Sequence, residues 1–366
     1  MIRHKAFRTG NALQEFTRDT VPAHAYYSTA YYLDPAQEMD KKGWQGADLA
    51  FDVDADHIQT PCKGEHDSWT CTQCGTHRMG THPQRCPKCG SERIEEQVWL
   101  CDKCLDAAKD EVLKLIEFLS QDFGFSKGEI KICFSGHRGY HIHVRSLTAR
   151  QLSSDERKEI VDYMQGTGID PALHGVHAPR GVSADAPLPN PSDKGWRGRF
   201  VRELREIVVQ SSLQDLVDLK LPSTAAASVV KNRELLSSAI LTNRTLTTVR
   251  GLGPRSWERL FQAAIERGSA KVDTVVTTDI HRLIRIPETL NGKTGFRALE
   301  VTHIENFDPF ADPVVHEGEQ AVFVESAPSF RVGNETFGPY RNERVTLPMA
   351  AALLLVCKGR ATAVGD

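Results

Sequence analysis

Seven of the nine cysteines lie between Cys62 and Cys104, six of them as the CxxC pairs Cys71/Cys74, Cys86/Cys89 and Cys101/Cys104. A CxxC pair presents two thiolates from one tight turn, and zinc takes four nitrogen or sulfur ligands in a tetrahedron. Cys71, Cys74, Cys86 and Cys89 therefore form one self-contained ribbon site. With that ribbon set aside, Cys62, His66, Cys101 and Cys104 make a second full set. The two sites are nested: the outer one clamps the base of the loop and the inner one holds its tip. His77 and His82 are spare candidates within the inner loop. In a reducing compartment such spacing means metal ligation, not cross-linking. Two structural zinc ions are expected. An iron–sulfur or thiol-redox centre is the alternative, since ligand softness alone does not separate iron from zinc. Ordinary core cysteines fit badly with a turn as polar as Cys86-Pro87-Lys88-Cys89-Gly90.

Hydrophobic residues make up 40% of the 366 and charged residues 25%, enough for a sizeable core over two or three domains or one elaborated domain. Lys and Arg number 45 against 48 Asp and Glu, a net charge of -3. That excludes a histone-like polycation, so any nucleic-acid contact needs a local basic patch. The longest apolar run, Met349 to Cys357, is far short of the roughly 20 residues that cross a bilayer. The basic stretch Met1 to Gly10 has no apolar segment behind it, so no secretion signal is expected. The expected location is intracellular and cytoplasmic, with no membrane partner.

The expected fold class is α/β (α+β), a mixed-sheet core carrying two inserts. Residues 1–60 and 105–170 supply the first part of the core, and residues 61–104 form the metal-bound insert. Residues 171–270 form a linker and helical insert, and 271–366 complete the core and end in a helix. Residues 20–60 begin the sheet: Leu49, Phe51 and Val53 alternate with Ala50, Asp52 and Asp54, the period-2 pattern of a half-buried strand. Leu105, Ala108, Val112, Leu115, Ile116 and Leu119 recur at helical spacing. Two short strands, Ile130 to Phe134 and Tyr140 to Val144, flank a glycine turn, and Ser153 with Glu156 forms a capping box opening another helix. Pro171, Pro179, Pro187, Pro189 and Pro191 mark a loop, and Phe200 to Gly268 reads as mostly helical. Strand character returns at His281 to Ile286, and a final helix runs from about Pro348 to Cys357.

Alternate residues of a strand point the same way, so Asp52 and Asp54 are presented together while Leu49, Phe51 and Val53 anchor the strand. Two carboxylates this close repel unless a cation neutralises them, and hard Mg²⁺ takes oxygen ligands. A solvated polar face, shared with Asp48 and Asp56, is the plainer alternative. The turn Ser135-Gly136-His137-Arg138-Gly139-Tyr140-His141 gathers a hydroxyl, a guanidinium and imidazoles around a bend. Backbone N–H groups and Arg138 there suit polyphosphate. A hairpin turn with a surface arginine is the alternative.

Together these pieces resemble the catalytic small subunit of archaeal and eukaryotic DNA primases over nearly the whole chain. Phe51-Asp52-Val53-Asp54-Ala55-Asp56-His57 is similar to the family's metal-binding strand, and Ser135 to His141 to its nucleotide-binding turn. Arg282-Leu283-Ile284-Arg285-Ile286-Pro287 with Asn291-Gly292-Lys293-Thr294-Gly295 resembles the segment that contacts the incoming nucleotide's phosphates. A third catalytic aspartate is implied just before it. Asp273 and Asp279 are the two candidates, and the family's spacing selects Asp273. The resemblance implies a nucleotidyltransferase that starts short primers on single-stranded DNA from nucleoside triphosphates, working with a large primase subunit. Asp52, Asp54 and Asp273 would hold two Mg²⁺ or Mn²⁺ ions, and Ser135, Arg138, His141, Arg285, Lys293 and Asn291 would bind the triphosphate. The Cys62, His66, Cys101 and Cys104 set matches the family's zinc site, and the inner ribbon is extra relative to its shorter members. Asn291 stands where the family usually has histidine, and His137 where an arginine or small residue is often seen. If Asn291 is a weakened phosphate contact, Asn291→His should improve nucleotide use. Two other readings are a primer-extending repair polymerase of the same superfamily and a non-catalytic zinc-ribbon nucleic-acid-binding subunit.

Overall fold

The computed structural model describes residues 2–174, 188–242, 249 and 251–365. The chain divides into two compact units, one of Met1–Val112, Lys127–Arg157 and Val272–Asp366, the other of Leu113–Ser126 and Lys158–Lys271. It is a mixed α/β protein with several small sheets.

In the first unit the central sheet has four strands in the order Leu299–Val301, Ile130–Phe134, Gly139–Val144, Leu49–Asp54. Every strand pairing among the described residues is antiparallel, so the expected mixed sheet is corrected to an antiparallel one. Short loops such as Ser135 to Arg138 return the chain directly alongside itself, which only antiparallel pairing allows. Register sorts the faces. Phe51 lies opposite Ile142 and Val53 opposite Tyr140, and Ile142 and Tyr140 lie opposite Ile132 and Phe134. Phe307 adds an aromatic cap, 5.3 Å from Phe134 and 6.2 Å from Tyr140. The opposite face carries Asp52 beside His141 beside Cys133, and it is this polar face that holds the cleft described below.

Leu283–Arg285, shorter than the expected strand, pairs with Tyr26–Ser28. The expected final helix is Met349–Cys357, but a strand follows it: Ala361–Ala363 pairs with Glu319–Ala327, so the helix is not the last element. A helix over Gly10–Thr20, capped by Thr9, was not foreseen from the sequence. No described helix is long and apolar enough to cross a membrane.

The second unit is helical: Gly195–Gln210, Leu213–Asp218, Ser223–Lys231, Arg233–Leu241 and Pro254–Gly268, with the Ser154–Met164 helix belonging to it from Lys158 onward. The Ser153–Glu156 capping box forms, with both the Ser153 backbone N–H and its hydroxyl donating to Glu156. Trp196, Phe200, Trp257 and Phe261 fill the core, and Arg199 is buried over the Phe118 ring while pairing with Glu117 and Asp122. Of the expected loop, Pro179 and Pro187 lie outside the described residues.

Candidate active site and metal centres

The turn after Phe134 is hemmed in at two glycines, Gly136 against the Phe296 backbone and Gly139 against the Leu49–Asp54 strand. Gly136 adopts φ +74°, where a Cβ would strike the Phe296 carbonyl oxygen at 2.9 Å. Gly139 lies opposite Asp54, and a Cβ there would come within 2.0 Å of the Val53 carbonyl oxygen. Only glycine lets the turn lie so close to the carboxylate strand. Ser135 closes the turn by donating its N–H to the Gly139 carbonyl (2.9 Å) and accepting the Gly139 N–H on its hydroxyl (3.3 Å).

A polar cleft of about 220 Å³ lies over this junction, lined by Asp52, Asp54, Ser135, His137, Arg138 and His141, and by Arg282, Arg285, Asn291 and Lys293. Of the expected site residues, Asp273 alone of the catalytic and nucleotide-binding set is not in the lining. Its backbone N–H donates to the Asp52 carbonyl (3.1 Å), and its carboxylate caps the Thr274–Thr278 helix through the Val275 N–H (2.8 Å). Asp279 is exposed and accepts the His281 N–H.

Burial, together with a neighbouring carboxylate (Asp273 for Asp52, Asp52 for Asp54), raises the pKa values of Asp52 and Asp54 to about 6. Arg138 opposes both rises. Asp52 Oδ1 is buried and has no hydrogen-bond partner. A crowded pair of acids with an unmet oxygen is what a cation would satisfy. His141 Nε2 stands 3.6 Å from Asp52 Oδ1, and burial lowers its pKa to about 4. Burial lowers His137 to about 3. Both imidazoles are therefore neutral near pH 7, so the cations of the turn reduce to Arg138.

Arg138 is itself held by acids: Nε donates to Asp54 Oδ2 (2.8 Å) and Nη1 to Asp56 Oδ2 (2.6 Å). Burial works against its charge, but Asp54, Asp56 and Asp52 outweigh it and raise its pKa. Across the cleft, Arg285 is 7% exposed. Its Nη2 donates to the Tyr26 hydroxyl (3.1 Å) and stands 3.2 Å from His24 Nδ1, whereas its buried Nη1 has no partner. His24 and Tyr26 also line the cleft, and sequence reasoning missed both. Nothing local marks them, because the Tyr26–Ser28 strand meets Leu283–Arg285 only through pairing across most of the chain.

Asn291 is 3% exposed, and its amide is engaged at both ends: Nδ2 donates to the Ser135 carbonyl (2.9 Å) and Oδ1 accepts the Lys293 N–H (3.0 Å). Thr294 adds a hydroxyl bond to the Gly136 carbonyl. Asn291 and Thr294 thus staple the Asn291–Gly295 loop to the turn, leaving Lys293 exposed at the cleft.

Both cysteine groups assemble. Cys62, His66, Cys101 and Cys104 converge, as do Cys71, Cys74, Cys86 and Cys89, with ligand atoms within 4.8 Å of one another in each group. Sulfur–sulfur spacings are 3.5 Å (Cys62–Cys104), 3.8 Å (Cys101–Cys104), 3.6 Å (Cys71–Cys89) and 3.7 Å (Cys74–Cys86). Zinc–sulfur bonds of about 2.3 Å give tetrahedral edges of about 3.8 Å, so both groups could hold zinc. His66 points Nε2 at Cys104 (3.5 Å) while Nδ1 meets the buried Asp67 carboxylate (2.8 Å), the second partner that orients a ligating imidazole. Around the inner group a three-stranded sheet of Ser68–Cys71, His77–Met79 and Ile94–Gln97 buries only a small cluster around Trp69, Cys71 and Cys86. His77 bonds Thr70 and His82 lies near Glu96, and neither joins the four thiols.

A family profile described as DNA primase small subunit matches residues 90–303. Among curated proteins, the DNA primase small subunit PriS of Methanothrix thermoacetophila is 34% identical over 98% of this chain and 88% of its own length. Its counterparts from Nitrosopumilus maritimus and Methanospirillum hungatei are 31% and 33% identical, each over 99% of this chain and over 88% and 85% of their own lengths.

Proposed function

The chain belongs to the DNA primase small-subunit family, and on that premise we propose that it is a catalytic subunit making short primers de novo on single-stranded DNA. The observation that carries this reading is the pair of unmet polar atoms in one cleft: Asp52 Oδ1 asks for a cation and Arg285 Nη1 for an anion. A metal-bound nucleoside triphosphate supplies both at once. Asp52, Asp54 and Asp273 would hold two Mg²⁺ or Mn²⁺ ions, whose charge would favour the ionised attacking hydroxyl and the leaving pyrophosphate.

The protein's own residues bind and orient. Arg285 and exposed Lys293 bind phosphate oxygens from one side, and Arg138, Ser135 and neutral His141 from the other. Asn291 acts by fixing Lys293 and Ser135 in place. At about 220 Å³ the cleft is smaller than the roughly 300–1,000 Å³ that encloses a drug-sized ligand, so it suits the triphosphate end. Template, base and partner then lie outside it. Zinc in the two cysteine groups is structural, and a large primase subunit is the expected partner.

The test is incorporation on a primed template. Asp52→Asn, Asp54→Asn and Asp273→Asn should each abolish it while the fold is kept, and Asp279→Asn should retain most of it. An active Asp273→Asn beside a dead Asp279→Asn would move the third carboxylate to Asp279.

A further inference from the structure

We propose that Asp56, a residue outside the expected site set, is a positioning residue that holds Arg138 in place for phosphate. The proposal rests on the reading of the cleft as a nucleotide site. Asp56 stands on the single turn Ala55–His57 that follows the carboxylate strand, and it is 19% exposed. Its Oδ2 accepts from Arg138 Nη1 at 2.6 Å, the shorter of the two bonds that hold the guanidinium. The backbones are tied as well, since the Ala55 N–H donates to the Arg138 carbonyl (2.8 Å). Asp56 is anchored from behind by Lys63, which is 4% exposed and donates its ammonium to the Asp56 carbonyl (2.7 Å). Lys63 directly follows Cys62 of the outer cysteine group, so the anchor is rooted in that group.

The two acids on Arg138 have different fates. Asp54 faces the cleft beside Asp52, and a cation there competes with Arg138 for its oxygens. Asp56 is not in the cleft lining, and because its Oδ1 has no hydrogen-bond partner, a cation beside Asp54 can take that oxygen and leave Oδ2 on Nη1. A guanidinium has five N–H donors in a rigid fork, and those not given to acids are free to meet phosphate. Held only by Asp54, Arg138 would lose its fixed position once a cation arrived. With Asp56 in place it keeps one edge on the protein and turns the other toward the nucleotide. Asp56 never touches the substrate and acts through Arg138.

The experiment is a double-mutant cycle on the full chain, reading equilibrium binding of a fluorescent nucleoside triphosphate without turnover, then KM and kcat on a primed template. Asp56→Ala should weaken nucleotide binding roughly ten-fold, the size of one charge-assisted hydrogen bond, and raise KM more than it lowers kcat. On an Arg138→Ala background it should add little, and Asp56→Glu should recover part of the loss. Asp56→Asn, which keeps the side chain's shape, serves in its place if the alanine variant does not fold. Wild-type affinity in Asp56→Ala, or losses that simply add in the double variant, would overturn the proposal. Failure of the wild-type chain to bind nucleotide would instead overturn the nucleotide-site reading and take this inference with it.

Discussion

Gly139 sits where the turn touches the strand that carries Asp52 and Asp54, and nothing larger than hydrogen fits there. The contact is with backbone, which cannot swing aside as a side chain can. Gly139→Ala should therefore lower the melting temperature by several degrees, the scale of a few kcal/mol of overpacking, and weaken nucleotide binding with it. Thermal unfolding followed by a nucleotide titration checks both, and an unchanged melting temperature would contradict the close approach. Asn291 is the second residue to test. Its amide bonds two backbone groups at once, and histidine cannot reproduce that donor–acceptor pair with the same reach. Asn291→His should raise KM for nucleotide several-fold, the reverse of what the family's usual histidine suggests. A lowered KM would return Asn291 to the role of weakened phosphate contact. Strand parity alone put Asp52 and Asp54 on one face, because that is a local property. The engagement of Asn291 with Ser135 spans 156 positions, and no local pattern announces it.

Among the elements, the cysteine loop was the most legible, because ligand spacing within one short segment fixes which thiols can meet. The pairing of Tyr26–Ser28 with Leu283–Arg285, which brings His24 and Tyr26 to the cleft, was not legible for the opposite reason. The antiparallel pairing of the sheet is not legible in the sequence, because alternation shows which residues face the core but not which way a neighbouring strand runs. The loop's strands bury so little that metal should supply much of their stability. Elemental analysis of protein purified without a metal-binding tag should give two zinc ions per chain. Cys86→Ser should release only the inner ion at modest cost. Cys101→Ser should release the outer ion and destabilise more, because that group ties Cys62 and His66 to the start of the Asp102–Glu117 helix. One zinc per chain, or iron, would contradict the nested pair.

At the scale of the whole molecule, a net charge of -3 gives little general attraction to nucleic acid. Family membership, not charge, implies a large subunit that supplies template affinity, and the pair is expected to co-purify at micromolar concentration. On the proposed function this chain begins strands as well as extending them. The most direct measurement adds bare single-stranded DNA, nucleoside triphosphates and Mg²⁺ or Mn²⁺, with no primer, to the small subunit with its large partner. Short new products that vanish in Asp52→Asn are the predicted result. Extension of an added primer with nothing made on the bare template would contradict the claim and leave a primer-extending polymerase; no incorporation under either condition would leave a binding subunit.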